Sequence, residues 1–120
     1  MKCPYCETEA IFVSSKEFYG KDYKTNIYSC VPCDAYVGTH GNSETPLGTM
    51  ANSELRECRK KAHLHFDKFW KSREMSRSEA YKWMANQMGL GAKGAHIAMF
   101  DVGKCEILIN KIKREIKSST

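Results

Sequence analysis

Cys3-Pro4-Tyr5-Cys6 and Cys30-Val31-Pro32-Cys33 are two CxxC pairs separated by a short insert, and their reading decides the fold. Two thiols three positions apart reach one metal from a single tight turn. Two such turns complete a tetrahedron with zinc–sulfur bonds of about 2.3 Å. The insert is a little longer than in the commonest ribbon pattern and still fits a zinc ribbon. Cys3, Cys6, Cys30 and Cys33 are therefore the expected ligands of one structural zinc ion. Two other readings compete. Disulfides need an oxidising compartment, and no signal sequence is visible. A thioredoxin-type site needs one CxxC on a βαβ pattern, which is absent.

Between and after the knuckles, the apolar runs are short. Ala10-Ile11-Phe12-Val13 reads as a strand, Thr25 to Ser29 as a second and Ala35 to Gly38 as a third. Glu17 to Asp22 reads as a turn or loop punctuated by Gly20. Residues 1–38 are thus expected to form a ribbon of three short antiparallel strands, folded at the expense of metal binding because its core is small. Tyr5, Phe12, Tyr28 and Tyr36 are assigned to that core. Phe18, Tyr19 and Tyr23 lie towards the loop and are the better candidates for partner contact, with Lys21 beside them. Residues 39–50, rich in Gly, Ser, Thr and Asn, read as a connecting loop.

Residues 51–117 read as a basic three-helix region packed on the ribbon as one unit. A first helix is expected from about Ala51 or Asn52 to about Trp70. Leu55, Cys58, Ala62, Phe66 and Phe69 form its apolar stripe, with Arg56, Lys60, Lys61, Lys68 and Lys71 mostly opposite. Ser76-Arg77-Ser78-Glu79 is a capping box that opens a second helix. That helix turns Ala80, Tyr81, Met84 and Met88 inward and stops at Gly89. After a glycine-rich link, Asp101 caps a last helix whose seam is Cys105, Leu108, Ile109, Ile112 and Ile116. Lys111, Lys113, Arg114 and Lys117 make its end cationic, which also suits the helix dipole. The expected class is α+β: a four-cysteine ribbon followed by about three α-helices.

Charge divides unevenly along the chain. Residues 1–50 hold four Lys/Arg against six Asp/Glu, hence −2, and residues 51–120 hold fifteen against eight, hence +7. A basic second half invites nucleic acid or another polyanion, although a solvated surface explains the same lysines. No apolar run approaches a membrane span, and a reduced, cytoplasmic setting is expected.

Several stretches resemble one known family in order. They are CPYC and CVPC, the Tyr19–Tyr23 loop, Tyr36-Val37-Gly38 with His40, and Pro46 to Asn52. Further along come Lys61-Ala62-His63 with Phe66, Asp67 and Trp70, Ser76 to Tyr81 with Trp83, and His96 to Cys105. The family is one of small zinc-finger-containing proteins of uncharacterised function, frequent in bacteriophages, prophages and their hosts. The resemblance implies a zinc-binding ribbon and a helical C-terminal region, and it supplies no reaction.

His40, His63 and His96 recur in that resemblance. They are candidates for structural hydrogen bonds or for a second metal site with Cys58. An enzyme would need a positioned set such as a Cys–His pair with an orienting carboxylate. No local motif, P-loop or dinucleotide fingerprint supports one, and no small-molecule substrate is evident. Two classes of function remain. In the first, Phe18, Tyr19 and Lys21 of the ribbon and Arg56, Lys60, Lys61, Lys68, Lys111, Lys113 and Arg114 of the helices contact nucleic acid. In the second, exposed aromatics bind a host protein complex. Nucleic acid is favoured on charge and ribbon usage, the protein being then an accessory factor of phage or prophage.

Overall fold

The computed structural model describes residues 1–118. The chain divides into two compact units, Met1–Glu54 and the residues from Leu55 onward. In the first, β1 (Ile11–Ser14), β2 (Asn26–Cys30) and β3 (Ala35–Gly38) form an antiparallel sheet in the order β1-β2-β3. Phe12 pairs with Tyr28 and Tyr28 with Val37, so these three share a face by the two-residue period of strands. The predicted loop after β1 is instead a short helix, α1 (Ser15–Tyr19). Its Ser14 cap accepts a hydrogen bond from the Glu17 N–H, and Gly20 ends it at φ 78°, a left-handed turn that glycine adopts without penalty. Turn residues pointed to a loop, but the cap on each side closes a single helical turn.

The assignment of Tyr5 and Phe12 to the ribbon core is corrected, whereas Tyr28 and Tyr36 are half-buried and Tyr28 packs against the core cluster. Tyr5 and Phe12 are exposed, and the central buried cluster is Cys3, Cys30, Ala35, Val37 and Met50, with Ile27 and Ala51 also buried in this unit. A three-stranded sheet this short leaves its rings at the margin, so the cysteines, Ala35, Val37 and Met50 fill its centre. The stretch after β3 is tied back to it: Thr39 bridges Pro46 and Tyr36 bridges Ala51. The Asn26 side chain donates to the carbonyls of Asn42 and Ser43, and the Tyr28 hydroxyl donates to that of Glu44 at 2.6 Å. Met50, carried back by this return, is fully buried in the cysteine cluster.

The second unit is helical: α2 (Ser53–Ser72, which begins in the first unit), α3 (Arg77–Met88), a 3₁₀ turn at Ile97–Met99 and α4 (Val102–Ser118). The capping box at Ser76 and Glu79 forms, and Gly89 closes α3 at φ 64°. Asp101 caps α4 by accepting from the Lys104 N–H at 2.8 Å. Phe66, Phe69, Met84, Phe100, Leu108 and Ile112 make a dry core with Cys105. On α2 the predicted stripe holds except at Cys58, which is only half-buried. Arg59 is buried instead, its Nε donating to the Phe100 carbonyl at 2.9 Å. A guanidinium at a core-facing position is tolerated because that carbonyl satisfies it. Ile116, expected in the α4 seam, is about half exposed at 49 %. No helix among the described residues is long and apolar enough to cross a membrane.

Candidate metal centre

Each knuckle is a tight turn built on its own backbone hydrogen bonds. In the first, the Glu7 N–H donates to the Cys3 carbonyl and the Cys3 N–H to the Thr8 carbonyl, both at 2.8 Å. In the second, the Asp34 N–H donates to the Val31 carbonyl at 3.0 Å. The residue following each pair is left-handed, Glu7 at φ 62° and Asp34 at φ 50°. Neither is glycine, so both turns hold a conformation that side chains disfavour. The first knuckle precedes β1 and the second joins β2 to β3.

The four sulfurs of Cys3, Cys6, Cys30 and Cys33 all lie within 4.8 Å of one another. The Cys6 and Cys30 Sγ atoms are 3.7 Å apart. A zinc tetrahedron with bonds of about 2.3 Å sets its sulfurs about 3.8 Å apart, so the donor set fits that ion in number, type and spacing. No cysteine is disulfide-bonded.

The cluster shifts its own thiols in opposite directions. Hydrogen bonds from Thr8, side chain then backbone, draw the Cys6 thiol down to about 6. The hydrogen bond with Cys6, then burial, push the Cys33 thiol up to about 12. For Cys30 the Cys33 backbone pulls downward, but burial and the Cys6 and Cys3 thiols prevail and raise it. Protein groups alone therefore draw Cys6 toward its thiolate and hold Cys30 and Cys33 toward their thiols. A divalent cation reverses that balance and deprotonates its sulfur ligands. The centre is a structural zinc site: four cysteines close the coordination sphere and leave no position for a reacting water.

Fold and site together define a four-cysteine zinc-ribbon module joined to a helical unit. The chain belongs to the family of the zinc-finger-containing domain, whose model matches residues 1–115. No curated protein and no solved structure matches it.

The other candidates fall into three groups. On the ribbon, Phe18 is half-buried against Tyr36, with ring centroids 4.9 Å apart. Tyr19 is exposed and touches Phe18, Tyr23 and Tyr36 through their rings. Lys21 reaches over the Tyr23 ring at 5.6 Å. On the helices, Lys60, Lys61, Lys68, Lys113 and Arg114 are exposed, and Arg56 and Lys111 are half-buried. His40, His63 and His96 are exposed. His40 stands in a turn closed by Ser43, whose N–H and hydroxyl both donate to its carbonyl. His63 lines a cavity with Tyr81, and His96 packs on the Tyr81 ring at 5.4 Å.

Among the described residues, the four cysteines are the one group of three or more His, Cys, Asp or Glu placed to hold a metal. No second such group forms among them from Cys58, His63 and His96. Cys105 is fully buried, and burial pushes its thiol up to about 11, which suits an inert core residue. Met50 and Thr39 were missed as parts of the ribbon. The only hint of them was the Pro46–Asn52 stretch within the family resemblance.

Proposed function

We propose that this protein binds nucleic acid, with the zinc site as a structural element of the ribbon and the helical unit making the phosphate contacts. The carrying observation is how charge is placed. Residues 1–54 hold four Lys/Arg against seven Asp/Glu, whereas residues 55–120 hold fifteen against seven. On α2, Lys60, Lys61, Lys68 and Lys71 are all exposed. By the 3.6-residue period they project opposite the buried Leu55, Ala62, Phe66 and Phe69. Glu57 and Asp67 are the acidic residues beside them; Asp67 shares a cavity with Lys71, and the Glu57 carboxylate lies 3.9 Å from Lys60 between two exposed side chains. Such a pair contributes little and leaves the face cationic. Cations spaced along one helix face suit a polyphosphate backbone, where counterion release drives binding. The role is one of binding, without catalysis, and the sequence resemblance supports a phage or prophage accessory factor as its setting.

The reading is tested by a salt series with single- and double-stranded probes. Affinity falls log-linearly with salt. Lys60→Glu with Lys61→Glu and Lys68→Glu flattens the slope by about one for each phosphate no longer neutralised. Unchanged binding in that variant contradicts the proposal.

A second reading has its own observation. Tyr19, Tyr23 and Leu47 are 49 %, 56 % and 50 % exposed. They rim an apolar groove of about 430 Å³ on the ribbon. Exposed rings around a groove suit a protein partner. Binding through them responds weakly to salt.

A further inference from the structure

Tyr81, on α3, lines two cavities of the helical unit that the zinc site does not use and that meet the lysine face of α2 only at Lys71. The first, about 350 Å³, is shared with His63, Asp67, Trp70, Lys71 and Arg77. The second, about 390 Å³, is walled by Ala85, Ala92, Ala95 and His96, with Ser78 and Lys82 at its edge, and its exposed surface is mostly apolar. One is polar and the other apolar. We propose that the pair forms a site for one nucleoside monophosphate unit, the phosphate in the polar cavity and the base in the apolar one. This rests on the nucleic-acid reading and says where a single nucleotide of a strand is gripped.

Two cations are held at the polar cavity by rings. Lys71 Nζ lies 5.5 Å from the Trp70 ring centroid, and the Arg77 guanidinium lies 5.7 Å from that of Tyr81. A ring positions a cation without neutralising it, so both charges stay available to an anion. One carboxylate, Asp67, shares the cavity, and its Oδ1 accepts from the Trp70 indole N–H at 3.1 Å. The balance is two permanent positive charges to one negative. Arg77 adds the planar fork that matches phosphate oxygens. His63 supplies a further donor. Desolvation lowers its imidazole and the Asp67 carboxylate opposes, while Arg59 and Arg77 reinforce the fall. Because the residue is exposed by area, water tempers that effect.

On the other side, three alanines leave a smooth wall. The Tyr81 and His96 rings, tilted at 49°, offer π surface beside it. Small apolar side chains next to aromatic faces accept any base by stacking, without selecting its edges.

The test uses the full zinc-loaded chain and three small probes: adenosine 5′-monophosphate, adenosine and inorganic phosphate. Tryptophan fluorescence and calorimetry follow binding. The monophosphate should bind at least about tenfold more tightly than adenosine, and Arg77→Gln or Lys71→Gln should each remove about that factor. Ala92→Leu, which narrows the apolar cavity, should weaken the monophosphate and leave inorganic phosphate unchanged. The Lys60, Lys61 and Lys68 to Glu variant should keep its affinity for the monophosphate.

Equal affinity for nucleotide and nucleoside, or indifference to both Gln variants, overturns the site. Oligonucleotide binding that needs the α2 lysines, with no monophosphate binding, also overturns it while the proposed function stands. Monophosphate binding that depends on Arg77, with no affinity for any oligonucleotide, establishes the site as one for free nucleotides and overturns the proposed function instead.

Discussion

The ribbon unit and the helical unit solve the same problem by different means. The ribbon buries Cys3, Cys30, Ala35, Val37 and Met50, a set with no aromatic ring. The helical unit buries Phe66, Phe69, Phe100, Met84, Leu108 and Ile112. A core of the first kind is too small to offset the entropy of ordering its chain, and a zinc–thiolate centre makes up the difference. A core of the second kind draws on apolar burial alone, at about 25 cal/mol per Å². Metal and hydrocarbon are interchangeable sources of stability here. Removing one should leave the other unit standing.

The comparison breaks most visibly when zinc is withdrawn. A chelator should cost the ribbon about 10 kcal/mol or more of binding free energy and unfold it. The far-ultraviolet signal of α2, α3 and α4 should persist, and loss of the helices together with the ribbon would mean the units are not independent. Acid acts in the same direction, because protons compete with zinc for the thiolates, so zinc affinity falls as pH falls. Next in size is Phe66→Ala, which should destabilise the helical unit by about 3–5 kcal/mol in a denaturant melt while zinc content stays at one ion. Glu7→Val, forcing a β-branched residue into a left-handed turn, should cost about 1–2 kcal/mol and weaken apparent zinc affinity about tenfold. Glu7→Gly should not weaken it.

Smallest is Ser76→Ala, at about 1 kcal/mol in the helical unit. The Glu79 carboxyl is drawn below its ordinary value by the Ser76 backbone N–H and then by its side chain. A depressed carboxylate stabilises above its ordinary range and loses that contribution as pH falls through it. Glu79→Gln, which removes the titrating carboxylate, should therefore flatten the acid limb of a stability-against-pH curve, and Ser76→Ala, which keeps the backbone N–H, should flatten it only in part.

What could be read from residues alone follows the range of the interactions. The zinc ligands, the capping box, Gly89 and the Asp101 cap are local patterns, complete within a few positions, and all are found in place. The strands were legible to within a residue or two, since alternation and turn residues are short-range as well. Met50 was not, because its burial depends on Thr39–Pro46 and Tyr36–Ala51 bridges that no periodicity announces. Arg59 was not, because a guanidinium inside is legible only once the Phe100 carbonyl stands opposite it. The convergence of His63, Asp67, Arg77 and Tyr81 likewise needs α2 and α3 side by side. Taken singly, Tyr81 read as an inward-facing residue, Arg77 as part of a capping box and His63 as a candidate for a structural hydrogen bond or a second metal site.

One measurement bears most directly on the zinc ribbon: the metal content of the purified chain, with and without Cys30→Ser, set against its amide spectrum. One zinc per wild-type chain is predicted. In the variant the ion should be lost and the amide resonances of residues 1–54 should collapse, with those of the helices retained. A full zinc ion in the Cys30→Ser protein, or an intact ribbon spectrum without metal, would contradict the account.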